Sequence, residues 1–72
     1  MMTEVDARGL SCPMPVIKTK KALDSVESGE EVLVILNDAT ARDNVTRLAK
    51  SRKCTISEAV QGDEYHLTLV KG

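Results

Sequence analysis

The 72-residue sequence predicts an α/β (α+β) two-layer sandwich in the order β-α-β-α-β-β, with a mixed four-stranded sheet and two helices on one face. Three observations carry this. Apolar runs of strand character alternate with two segments of helical spacing, and strand–helix–strand units favour parallel pairing through right-handed crossovers. The last two apolar segments are separated only by Gln61-Gly62-Asp63-Glu64, a connection short enough for an antiparallel hairpin. Tyr65 is the single aromatic residue, so the core must be aliphatic, and a chain of this length builds one domain, residues 1–72.

The elements follow in order. Thr3-Glu4-Val5-Asp6-Ala7 reads as a short first strand that Gly9 ends. From Pro13, the positions Val16, Thr19, Leu23 and Val26, with Ala22 beside them, repeat at helical spacing, while Lys18, Lys20, Lys21, Asp24 and Glu27 fill the other faces. Ser28-Gly29 stops this helix, with Gly29 expected just beyond its C-cap. Residues 31–37, EVLVILN, form a continuous branched apolar run and hence a buried strand. Residues 40–53 form the second helix, with Ala41, Val45, Leu48 and Ala49 inward, and Thr40 with Asp43 makes a capping-box pattern at its start. Residues 54–60 and 65–71 are the last two strands; Tyr65, Leu67 and Leu69 share one face of the final strand, and His66 points away from it.

Several function classes are disfavoured. The formal net charge of −1 argues against a general nucleic-acid coat. The opening MMTEVDARG is polar and acidic rather than signal-like, and no apolar run approaches the roughly 20 residues of a membrane span, so a cytoplasmic protein is expected. No CxxC, HxxxH or Cys/His cluster suggests a metal site, and no cofactor is expected. Two cysteines in a reducing compartment read as free thiols.

The candidate site is Gly9-Leu10-Ser11-Cys12-Pro13-Met14-Pro15. Gly9 can turn the chain out of the strand. Pro13 at the first helical position would make Cys12 the N-cap, placing its sulfur at the positive end of the helix, where a thiolate is stabilised. Pro15 stands where a redox CxxC motif carries its second cysteine, which suits a thiol that carries a group rather than one that closes a disulfide. The plainer alternative is a buried, inert cysteine. Cys54 is read in that way, as a buried strand thiol, and His66 receives no role. Arg42, at the second helix start, should stand near Cys12 and support its thiolate, or else be an ordinary solvated arginine. Met14 and Ile17 either complete the core edge or form an exposed apolar collar for docking, which Lys18 and Lys21 would extend. Eight of the ten basic residues fall on the two helical segments as read, Arg52 and Lys53 included; the plainer reading is an ordinary solvated helix face, and as a steering surface they favour acidic protein partners over RNA.

On these residues the chain resembles the TusA/SirA/YedF-like family of small sulfur carriers. Asp6, Gly9, Leu10, Cys12, Pro13 and Pro15 match its acidic residue, Gly-Leu and Cys-Pro-x-Pro signature, and Asp38, Ala39, Thr40, Arg42 and Asp43 match a second patch. The resemblance spans essentially the whole chain. It implies the strand order 1-2-4-3 with the last strand antiparallel. It also implies a sulfur carrier that holds sulfane sulfur as a persulfide on the motif cysteine. Such a carrier takes the sulfur from a protein donor, a cysteine desulfurase or a rhodanese-like protein, and passes it to a protein acceptor. Pathways served in the family include tRNA thiolation, sulfur oxidation, molybdenum-cofactor assembly and, for YedF-like members, selenium metabolism. Asn37 and Ala39 depart from the tRNA-thiolation members, whose second helix start usually has two acids and a proline. YedF-like proteins often carry a further domain beyond the length seen here. Two other readings stand beside this one: a non-catalytic RNA- or protein-binding module of the same fold, and a thiol regulator working by reversible oxidation of Cys12. Donor, acceptor and oligomeric state stay open.

Overall fold

The computed structural model describes residues 2–10 and 14–72, and side chains from Thr3. Its elements are β1 (Met2–Asp6), α1 (Met14–Ser25), β2 (Glu31–Leu36), α2 (Ala39–Ser51), β3 (Thr55–Gln61) and β4 (Glu64–Val70). The sheet order is β1-β2-β4-β3. β1 and β2 are parallel, and β4 runs antiparallel to both β2 and β3. The expected mixed sheet is therefore the observed one.

The alternation of each strand sorts the faces. Val32, Val34 and Leu36 of β2 pair with Leu69, Leu67 and Tyr65 of β4, and this row meets the helices. Leu23, Val45, Leu36, Leu67 and Leu69 are all fully buried there. Each such leucine stabilises the fold by roughly 1.5–3 kcal/mol through removal of its side chain from water. Small residues, Ala22 on α1 and Ala41 and Ala49 on α2, complete the cluster. At the edge of the sheet, β3 is largely exposed, and even on its helix-facing side Val60, opposite Tyr65, retains 59% of its surface.

Several local expectations shift. The inward stripe of α1 is Pro15, Thr19, Ala22 and Leu23, and Val16 is only half-buried. Thr19 tolerates complete burial because its hydroxyl donates to the Pro15 carbonyl, 2.8 Å away. α1 ends at Ser25, so Gly29 is not its cap. Gly29 (φ 91°) occupies the third position of the turn closed by Glu30 N–H to Glu27 O at 3.0 Å. The α1 carbonyls are closed instead by a distant cation: the Lys71 ammonium donates to Leu23 O and Val26 O, each at 2.7 Å.

α2 starts one residue earlier than read. Asp38, with extended backbone, is its N-cap, and its carboxylate accepts from Ala41 N–H at 3.0 Å. The Thr40–Asp43 capping box does not form, because Thr40 lies inside the first turn and Asp43 pairs with Arg42. Leu48 is half-buried rather than inward. α2 closes with a Schellman motif: Lys53 N–H bonds Lys50 O and Cys54 N–H bonds Ala49 O, both at 3.0 Å. Lys53 takes the left-handed position (φ 59°) that glycine usually holds. Cys54 therefore precedes β3 rather than opening it, and is half-buried against the core rather than enclosed. Arg52 and Lys53 lie beyond the helix, and Arg52 ties the two helix ends together through Asp24 at 2.7 Å.

Candidate functional site

The strand order brings three connections to one end of the sheet. β1 and β2 both finish there, each leading towards the start of a helix, and the β3–β4 hairpin turns there at Gly62-Asp63. Ser11, Cys12 and Pro13 lie outside the described residues, and so does the expected N-cap role of Cys12. The segments on either side of them are described and define the surroundings.

Gly9 adopts φ 72°, the left-handed turn expected of it, and nothing lies within 4 Å of where a Cβ would stand. The glycine is thus required by backbone conformation and not by crowding. Ala7 N–H makes the last β1–β2 backbone rung, to Ile35 O at 2.9 Å. Two residues on, Gly9 N–H donates to the side-chain carbonyl of Asn37 at 3.0 Å.

Arg8 braces the same loop. Its guanidinium contacts both Asp6 oxygens, at 2.9 and 2.8 Å, and reaches Glu64 on β4 at 2.8 Å. Hydrogen bonding from Arg8 lowers the Asp6 pKa to about 2, and the same fork, followed by His66, lowers that of Glu64. His66 Nε2 lies 3.2 Å from Glu64. Neither Arg8 nor Glu64 was singled out from the sequence, and no periodicity marks an ion pair across 56 residues.

Arg42 is not a free solvated arginine. It pairs with Asp43 at 2.9 Å and Glu58 at 3.5 Å, and its guanidinium lies 5.0 Å from the Tyr65 ring centroid. The hydrogen bond to Asp43 raises its pKa further. Pro15 is buried, whereas Met14 (43%) and Ile17 (38%) are exposed beside exposed Lys18 and Lys21. Met14 and Ile17 thus lie at the surface rather than within the core edge. A groove of about 300 Å³ runs between the helices, lined by Val16, Asn44, Arg47, Leu48 and Ser51.

Comparison with known proteins settles the family. The family model described as sulfurtransferase TusA matches residues 3–71. The chain belongs to the TusA family. YrkI of Bacillus subtilis strain 168 is 38% identical over 69 residues, covering 94% of this chain and 92% of that one. The sulfur carrier protein TusA of Allochromatium vinosum is 32% identical over 69 residues, covering 94% and 91%. The crystal structure of a SirA-like protein from Desulfitobacterium hafniense superposes with a TM-score of 0.86 at 31% identity, over 100% of this chain and 99% of that one. The TusA/SirA class and its strand order, both expected from the motif residues, are thereby met. Sulfur carriers of this family work between protein partners. No described helix is long and apolar enough to cross a membrane.

Proposed function

We propose that this TusA-family protein carries sulfane sulfur as a persulfide on Cys12. The observation that supports this most is the family match over residues 3–71, which contains the Cys-Pro-x-Pro segment. Cys54, the other cysteine, belongs to the closing turn of α2, at the opposite end of the sheet from the loop that carries Cys12.

The chemistry is an exchange between two sulfur atoms. The Cys12 thiolate attacks the outer sulfur of a donor persulfide, R–S–SH. The donor S–S bond breaks and its electron pair leaves with the donor thiolate, R–S⁻. A new S–S bond gives Cys12–S–SH. No net oxidation occurs, and neither a metal nor a cofactor is needed. A second thiolate, on the acceptor protein, repeats the step. Gly9 and Pro13 would set the thiol at the start of the helix and buried Pro15 would anchor the first turn. Arg42 would add a field that Asp43 and Glu58 largely compensate.

The docking surface proposed for donor and acceptor is the exposed collar of Met14 and Ile17 with Lys18 and Lys21. Charge distribution supports partners with acidic faces. Among the described residues Arg8, Arg42 and Arg52 are held in ion pairs, whereas Lys18, Lys20, Lys21, Arg47, Lys50 and Lys53 are in none. All six are exposed on the helices or just after α2, so the helical layer carries cations outside ion pairs despite the net charge of −1. The donor class that fits is a cysteine desulfurase or a rhodanese-like protein.

Intact mass after incubation with a cysteine desulfurase and cysteine tests the proposal. Wild type and Cys54→Ser should gain one sulfur, and Cys12→Ser none. Cys12→Ser should also fold normally, since serine is the better cap residue. Sulfur gain by Cys12→Ser, or none by wild type, would overturn the assignment.

A further inference from the structure

We infer that Asn37 is a positioning residue for Cys12, its side-chain carbonyl fixing the peptide from which the cysteine-bearing segment departs. The inference rests on the persulfide reading for its purpose, but on geometry of its own.

The register makes the point. In the β1–β2 ladder, Ala7 N–H reaches the carbonyl of residue 35, and the next rung of a parallel ladder would join Gly9 N–H to the carbonyl of residue 37. That rung is made, but by the side chain: Asn37 Oδ1 accepts from Gly9 N–H at 3.0 Å. The substitution lets two demands coexist. The backbone at residue 37 turns away so that Asp38 can cap α2, while the first loop is still held as if β2 continued. Gly9 then turns left-handed at φ 72°, and Cys12 follows three residues later.

The acceptor is also neutral. Three residues of chain reach about 10 Å at most, roughly one Debye length at 0.1 M salt. An aspartate in that place would accept the same hydrogen bond and set an anion against the thiolate. Carboxylates already outnumber cations at this end: Arg8 meets both Asp6 and Glu64, Arg42 meets both Asp43 and Glu58, Asp38 caps the Ala41 N–H, and Asp63 stands in the hairpin turn. The side chain at residue 37 therefore holds the loop without adding to the field.

The contact is exposed, so water replaces it when it is lost and the fold should survive. The test follows the alkylation rate of Cys12 with pH, read by peptide mass, with Cys54 in the same molecule as the control. Asn37→Ala should slow Cys12 about threefold at neutral pH, independently of salt, as the Gly9 turn that leads into the cysteine-bearing segment loses its tie to residue 37. Asn37→Asp should show a similar slowing at low salt and recover to wild type in about 1 M KCl, where the Debye length is about 3 Å. Cys54 should be unchanged in both. A wild-type profile for Cys12 in Asn37→Ala overturns the inference, as does a slowing of both cysteines together or a failure of Asn37→Asp to recover in salt. If the expected profiles appear but wild type takes up no sulfur, the carrier reading falls and the positioning role stands. If wild type loads and Asn37→Ala keeps the wild-type profile, the positioning role falls alone.

Discussion

The guanidinium carbon of Arg42 lies 5.0 Å from the centroid of Tyr65, the chain's single tyrosine, while two carboxylates, of Asp43 and Glu58, hold its nitrogens. Glu58 reaches it because residue 58 pairs with Leu67 and so stands on the helix-facing side of β3. This arginine staples the start of α2 to the edge of the sheet. Arg42→Ala should lower stability slightly, from the lost stacking and partly exposed ion pairs. It should move the Cys12 titration by less than about half a unit, since its charge is already compensated. Denaturant melts and the Cys12 alkylation profile check both. A movement of a full unit would mean that Arg42 leaves its carboxylates to face the thiolate.

Arg8 makes acid stability depend on the β1 end. The Asp6 pKa, about 2 when folded, lies below the roughly 3.9 of an unfolded aspartate. A depressed carboxylate contributes stability above its unfolded value and loses it as pH falls through the folded one. The contribution is therefore intact above about pH 4 and vanishes towards pH 2. Arg8→Gln should be less stable than wild type at neutral pH, and the gap should close across that window. A gap that stays constant down to pH 2 would show that Arg8 acts through packing alone.

Lys53 pays for a left-handed backbone with φ 59° in the Schellman turn. Replacing it by glycine removes the clash between Cβ and the backbone that makes this region costly for other residues, about 1–2 kcal/mol. Part of the gain is returned as backbone entropy of the unfolded chain. Lys53→Gly should raise stability by about 0.5–1 kcal/mol. Lys53→Val should lower it by more than that, because a branched side chain fits this region worst. Thermal melts of the two variants, moving in opposite directions, are the expected result.

Lys71 supplies the positive charge that the last turn of α1 lacks in its own sequence. Lys71→Met keeps the apolar stem and removes the two hydrogen bonds to Leu23 O and Val26 O. A loss of about 1–2 kcal/mol is expected, with hydrogen exchange at the end of α1 accelerating more than that of α2. Equal acceleration in both helices would mean that the contact stabilises the whole fold and not this helix end.

Much of the fold is legible because it is periodic. The branched run of β2 and the helical spacing of Thr19, Ala22, Leu23 and Val26 each point to one element, and the short connection between β3 and β4 leaves only a hairpin. Capping is less so. Asp38 and Thr40 are both cap-type residues two positions apart, and the choice depends on which oxygen reaches a free amide; Asp38 reaches Ala41 N–H. Ser28-Gly29 reads equally as a helix stop or as a tight turn, and the true closure of α1 comes from Lys71, 48 residues beyond Leu23. At the candidate site, the Gly9 turn follows from residue type, but Arg8–Glu64 and Gly9–Asn37 do not. Such contacts depend on which loops the sheet order brings together, and only the assembled sheet specifies that.

The central place of β4 has a consequence for how the chain folds. β2 and β3 do not touch; β4, the latest of the described strands in sequence, enters between them and brings Leu67 and Leu69 to the core. Until it does, β2 has one unpaired edge and both helices lack half of their floor. The β3–β4 hairpin can form early, since its ends are close in sequence. Its docking against β2 closes a loop of some thirty residues and commits the rest. Folding should therefore be all-or-none, with no stable half-molecule, and its rate should be limited by non-local strand pairing rather than by either helix.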